Sequence, residues 1–136
     1  MNSQHLSQIF TSIYYHCHPK FTIPLSHSSV RALQYIAMNK GGTVREVAEH
    51  LGCAHNTASE ILRRLADKKL LSRKRRRDDE RVVELKVTTL GWEILKEQTG
   101  LDIEKLDNVL RNMPIKDKKQ IFEGFSLLLK YVKEGS

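Results

Sequence analysis

Between Thr43 and Val87 the hydrophobic spacing changes character twice, and that order leaves little choice of fold. Val44, Val47, Ala48 and Leu51 recur at helical spacing and stop at Gly52 after about two turns. Thr43, three residues ahead of Glu46, has the capping-box pattern, a hydroxyl poised to take an N–H from the first turn. Ala58, Ile61, Leu62 and Leu65 then fall at i, i+3, i+4 and i+7. Past Leu70-Leu71 the period drops to two. Val83, Leu85 and Val87 alternate with Glu84 and Lys86, the mark of a half-buried strand whose partner is the run 71–74. The loop between them, 75–80, is almost entirely charged. Two short helices joined by a tight glycine turn, followed at once by a hairpin, make a helix-turn-helix with a wing.

The flanks read as helices. Residues 3–18 carry Leu6, Ile9, Phe10, Ile13 and Tyr14 close to one stripe, and Pro19 and Pro24 bracket a non-helical stretch. Ser26 is a fitting N-cap for a helix bearing Val30, Leu33, Ile36 and Ala37, which Gly41-Gly42 ends. Residues 88–136 read as two helices separated near Met113-Pro114. In the last one the apolar set (Ile121, Phe122, Phe125, Leu127, Leu128, Leu129, Tyr131, Val132) surrounds the cylinder, so one face is expected to meet a partner chain. The expected architecture is α+β and mostly helical, in one domain of 136 residues. Residues 1–25 form the N-terminal helix of a dimerisation region. Residues 26–92 form the winged helix-turn-helix, and 93–136 the C-terminal dimerisation helices. No apolar run approaches the ~20 residues a spanning helix needs, and the start lacks a signal-peptide pattern. Two cysteines are no disulfide framework, so a cytoplasmic location is expected.

Charge points to the partner. The chain carries 23 Lys and Arg against 16 Asp and Glu, a net of +7. Residues 63–86 alone hold eleven of the basic residues and five of the acids, which concentrates nearly all the excess in the helix-to-wing stretch. Focused positive potential attracts phosphate and speeds encounter with a polyanion, so a polyanion, double-stranded DNA among them, is the expected partner. A solvated charged face or an anionic-membrane patch is the plainer reading of the same charge.

In order and spacing these residues resemble the multiple antibiotic resistance regulator (MarR) family of transcription factors. The specific features are Asp79-Glu80-Arg81 in the wing and Val87-Thr88-Thr89-Leu90-Gly91 entering the next helix. Leu25-Ser26 and Leu70-Leu71-Ser72-Arg73 support it. The resemblance implies a homodimeric repressor on a pseudo-palindromic operator, released by a small-molecule, metal or oxidant effector, with no cofactor. It implies a recognition helix near 54–69 whose first turns enter the major groove. His55, Asn56, Ser59 and Arg63 then project away from the buried face. Asn56 suits adenine and Arg63 guanine, whereas Thr57 and Ser59 suit phosphate. Arg81 would enter the minor groove and Asp79 fix the wing, with Arg75, Arg76 and Arg77 on the backbone or in narrow A·T grooves. Ala54 stands where the family often has a capping hydroxyl, and Lys69 where Gly is common.

Two features invite a sensing role. His16-Cys17-His18 has ligand-type side chains for zinc or copper, or an oxidant-sensing thiol at Cys17. Successive helical residues point about 100° apart, so these three need His5, His27 or a partner chain to complete a tetrahedral set. A plain helix end is the simpler reading. Tyr14, Tyr15, Tyr35 and Trp92 are suited to stacking on a phenolic effector, although aromatic residues at helical spacing usually belong to a core. Cys53 reads as a small buried hydrophobe. There is no phosphate loop, no HExxH, no GxSxG and no nucleophile-base-acid set, so no enzyme is expected. The alternatives are an architectural or replication-associated winged helix with little sequence preference, and a winged helix used for protein contacts.

Overall fold

Hydroxyl and carboxylate caps set where most of the helices begin. The computed structural model describes residues 1–135, in the order α1 (Ser3–His16), α2 (His27–Met38), α3 (Val44–Leu51), α4 (His55–Asp67), β1 (Leu71–Arg75), β2 (Val83–Val87), α5 (Thr89–Thr99), α6 (Ile103–Arg111) and α7 (Ile115–Glu134). Ser26 Oγ accepts the Ser29 N–H at 3.1 Å to open α2. Thr43 Oγ1 accepts the Glu46 N–H at 3.3 Å and donates to the Glu46 carboxylate at 2.9 Å, which starts α3 as the sequence pattern required. Gly52 closes α3 in the left-handed region, at φ 66°, where a side chain would be strained. The fold class is the expected one, mostly helical with a two-stranded antiparallel wing.

The chain forms two compact units. One runs His18–Leu101, and the other joins the residues up to Cys17 to those from Asp102 onward. The first of these is built on a core of Leu33, Ile36, Val47, Ala58, Leu62, Leu65, Leu70, Leu85, Ile94 and Leu95. Burying a leucine or isoleucine side chain contributes about 1.5–3 kcal/mol, so this cluster is the main support of the lobe. The wing pairs Leu71 with Val87, Arg73 with Leu85 and Arg75 with Val83. Leu71 and Leu85 point into the core and pull the base of the wing onto the helices, while its outer half stays in solvent. A backbone bond from the Leu85 N–H to Gly42 O, 3.0 Å, ties β2 to the turn before α3.

Several boundaries differ from the sequence reading. The first helix ends at His16 rather than His18, because Pro19 biases the residue before it out of the helical region. Residues 88–135 hold three helices, not two. The additional break lies at Gly100, after which Asp102 Oδ1 caps a new helix through the Lys105 N–H at 3.1 Å. The winged lobe also extends beyond 26–92. Ile94, Leu95 and Gln98 of α5 are buried in it, and Gln98 Nε2 donates to Ile23 O at 2.8 Å. In the other unit, α1, α6 and α7 contain no buried residue. Among the described residues no helix is long and apolar enough to cross a membrane.

Candidate nucleic-acid interface

The helix α4 separates its residues by chemistry. Ala58, Leu62 and Leu65 are buried, while His55, Asn56, Thr57, Arg63 and Arg64 are exposed and Ser59 and Glu60 half-exposed. The buried stripe fixes the helix against the lobe, and the opposite stripe is free to enter a groove. Ala54 is the N-cap and supplies no side-chain bond, so the first-turn N–H groups lack the hydroxyl that caps α2, α3 and α5. The helix starts one residue later than expected and ends two earlier, at Asp67.

The wing places its arginines by local bonds. Asp79 Oδ1 accepts both the Arg81 N–H and its Nε–H, each at 3.1 Å, so one carboxylate fixes the turn and the side chain together. The same bond, Arg81 to Asp79, holds the Asp79 carboxyl below its ordinary range. The Arg81 side chain is otherwise 91% exposed. Arg76 makes a fork to Asp78 at 3.1 and 2.9 Å, with Glu84 3.6 Å away. Arg75 Nη1 donates to Glu80 O at 2.9 Å, and Arg77 is exposed at the tip. All ten residues expected at the DNA face lie on α4, β1 or the wing loop of this lobe.

Sequence reasoning overlooked the acids that accompany them. Glu60 accepts from Arg63 Nη2 at 2.6 Å and Nε at 3.1 Å, and from Arg64 Nε at 3.2 Å. Asp67 accepts from Arg63 Nη1 at 3.3 Å. The available signal was the spacing, since Glu60 precedes Arg63 and Arg64 by three and four positions and Asp67 follows Arg63 by four.

The sensing residues are not gathered into sites. Cys17 is buried, with its thiol donating to Asp102 O at 3.5 Å. The His16 ring meets the Tyr15 ring edge-on at 5.0 Å. His18 Nδ1 lies 2.7 Å from Pro19 O, and its ring tilts against Phe21. Among the described residues no three of His, Cys, Asp and Glu are grouped to hold a metal ion. Within the described residues the expected ligand set His16-Cys17-His18 is therefore not assembled: the helix ends at His16, Cys17 turns to Asp102 O and His18 to Pro19 O. Tyr14 and Tyr15 belong to one unit, Tyr35 and Trp92 to the other. The Tyr35 ring tilts against His50 at 4.7 Å and its hydroxyl donates to Glu46 at 3.4 Å. Burial first, then the Glu46 charge, pushes that phenol up. Trp92 instead edges a shallow cavity of about 260 Å³ with Ile36, Lys40, Lys86 and Val87. Cys53 is half-buried against the core, as a small apolar residue would be.

Comparison with known proteins follows the same lines. Residues 23–82 match the model of the MarR family. No curated protein matches the chain. A MarR-like transcriptional regulator from Thermotoga maritima is 20% identical, with 98% of each chain covered and a TM-score of 0.69. Streptococcus pneumoniae FabT, solved in complex with DNA, is 18% identical over 99% of this chain and 100% of its own, with a TM-score of 0.62. S. aureus MepR, solved bound to ethidium bromide, is 18% identical over 97% of each chain, again with a TM-score of 0.62.

Proposed function

We propose that this chain, whose residues 23–82 match the model of the MarR family, is a sequence-specific DNA-binding regulator of transcription, acting as a homodimeric repressor that an effector releases. The observation that carries this reading is the two-faced α4. Its apolar side is locked into the lobe, and Asn56, Ser59 and Arg63 face outward beside a wing whose arginines are held in place by Asp78 and Asp79. Such a helix offers paired donors to base edges in the major groove, while Arg81 suits the minor groove and Arg75, Arg76 and Arg77 the phosphates. The likeness in fold to FabT, solved with DNA, supports the ligand class.

The dimer is supported by what the second unit leaves in water. Phe122, Phe125, Leu127, Leu128, Leu129, Tyr131 and Val132 of α7 are all exposed in the single chain. Apolar surface on that scale belongs to an interface. Release by an effector is supported by MepR, a similar fold solved with a flat aromatic cation. The role is one of binding, with no chemistry to perform.

The test is fluorescence anisotropy on the DNA upstream of the protein's own coding sequence, against a scrambled duplex, at several salt concentrations. A specific regulator prefers one duplex by ~10³ or more at near-physiological salt. Equal and steeply salt-dependent binding to both duplexes would leave only the phosphate contribution and favour an architectural role.

A further inference from the structure

The Arg63 guanidinium on the exposed face of α4 is held between two acids. Glu60 accepts from its Nε at 3.1 Å and its Nη2 at 2.6 Å, while Asp67 accepts from Nη1 at 3.3 Å. Each Nη carries two N–H groups, so one N–H remains on Nη1 and one on Nη2, enough for a paired donation. Two such donors fit the O6 and N7 acceptors of guanine. Glu60 also holds Arg64 Nε at 3.2 Å, so a single carboxylate restrains both cations of the helix surface. The pairs lie in solvent, with side chains about half exposed, and exposed pairs add little to the stability of a fold. A function in recognition accounts for them better than one in folding.

We propose that Glu60 is a specificity-determining positioning residue, withholding Arg63 and Arg64 from indiscriminate phosphate contact and presenting Arg63 to a guanine edge. An unrestrained arginine swings to whichever phosphate is nearest and strengthens binding to all DNA alike. A clamped one has lost the reach for the backbone but has its fork already oriented, which favours a sequence that offers the matching acceptors. The carboxylate itself faces the polyanion and adds a repulsion that only a well-matched site offsets. This role rests on the regulator reading above.

The experiment begins with wild-type protein selecting its preferred duplex from a randomised pool. Anisotropy then compares that duplex with a random one across a salt series, for wild type, Glu60→Gln, Arg63→Ala and the double variant. Glu60→Gln is expected to bind the random duplex about threefold to tenfold more tightly. Its salt slope should steepen by about 0.9 for each released cation that reaches a phosphate. Affinity for the selected duplex changes less, so the preference falls. In the Arg63→Ala background the gain shrinks to what Arg64 alone supplies, a coupling that a merely structural residue would not show. If Glu60→Gln is folded by circular dichroism and leaves the random-duplex affinity and slope unchanged, the assignment is wrong. Equal weakening on both duplexes, or loss of preference at one base pair with the random duplex untouched, also overturns it. The latter result would make Glu60 a reader of the base itself. A wild-type protein that selects no sequence overturns the regulator reading, and this role with it.

Discussion

Lys69 and Lys40 occupy the left-handed region, at φ 67° and 55°, where a lysine pays a steric cost that glycine avoids. At the end of α4 the Lys69 N–H bonds Ala66 O at 2.9 Å and the Leu70 N–H bonds Leu65 O at 3.0 Å, a Schellman closure with lysine in the glycine position. Lys69→Gly is therefore expected to stabilise the protein by about 0.5–1 kcal/mol, read as a higher urea midpoint at unchanged slope. No change would mean that the backbone relaxes without strain. Arg81→Ala should weaken DNA binding by about 1–3 kcal/mol while leaving the unfolding midpoint in place, because its side chain is 91% exposed and bonds Asp79 at the surface. Loss of fold instead would make Arg81 a structural residue. The Asp79 and Glu60 carboxyls are held below their ordinary values, chiefly by the bonds from Arg81 and Arg63. A lowered folded value gives stability that is complete above the ordinary carboxylate range and lost as pH falls through the lowered value. Unfolding near neutral pH should thus be insensitive to both groups, and a titration of the midpoint checks it. The wing arginines were legible in the sequence as a charge run; their individual acidic partners follow from spacing that the residue pattern held but did not rank.

One junction governs how the elements meet. Thr88 Oγ1 accepts the Gly91 N–H at 2.9 Å and donates to Lys69 O at 2.6 Å, so a single hydroxyl starts α5 and holds the end of α4. The Thr88 N–H bonds Leu70 O at 3.1 Å beside it. A Cβ on Gly91 would lie 2.1 Å from Leu70 O and 2.8 Å from Val87 Cγ1, too close for any side chain without moving backbone. Gly91→Ala is expected to destabilise by about 1–3 kcal/mol or more, with the wing and α5 separating first; hydrogen exchange at β2 and α5 tests it. Undiminished stability would show that this junction can open at little cost. The caps at Ser26 and Thr43 could be read from the sequence because each acts within three residues. The break at Gly100 has a local cap of the same kind, Asp102 to Lys105, which the sequence reading overlooked; the docking of α5 could not be read, since it rests on contacts such as Gln98 with Ile23, 75 positions apart.

For the molecule as a whole, the proposed dimer rests on the exposed apolar surface of α7. Replacing Phe125 and Leu128, exposed by 53% and 41%, with Glu should yield a monomer at micromolar concentration in sedimentation, with much weaker binding to a palindromic duplex. A variant that stays dimeric would move the interface elsewhere. The sequence by itself determined the order of elements as far as the wing, the buried stripes of α2, α3 and α4, and the sign of the charge on α4 and the wing loop. Those follow from periods and caps that operate within a turn or two. Only the tertiary structure decided that α5 belongs to the lobe and that glycine alone fits at 91. Each of these depends on which backbone or side chain arrives from elsewhere in the chain, and hydrophobic spacing carries no record of that distance.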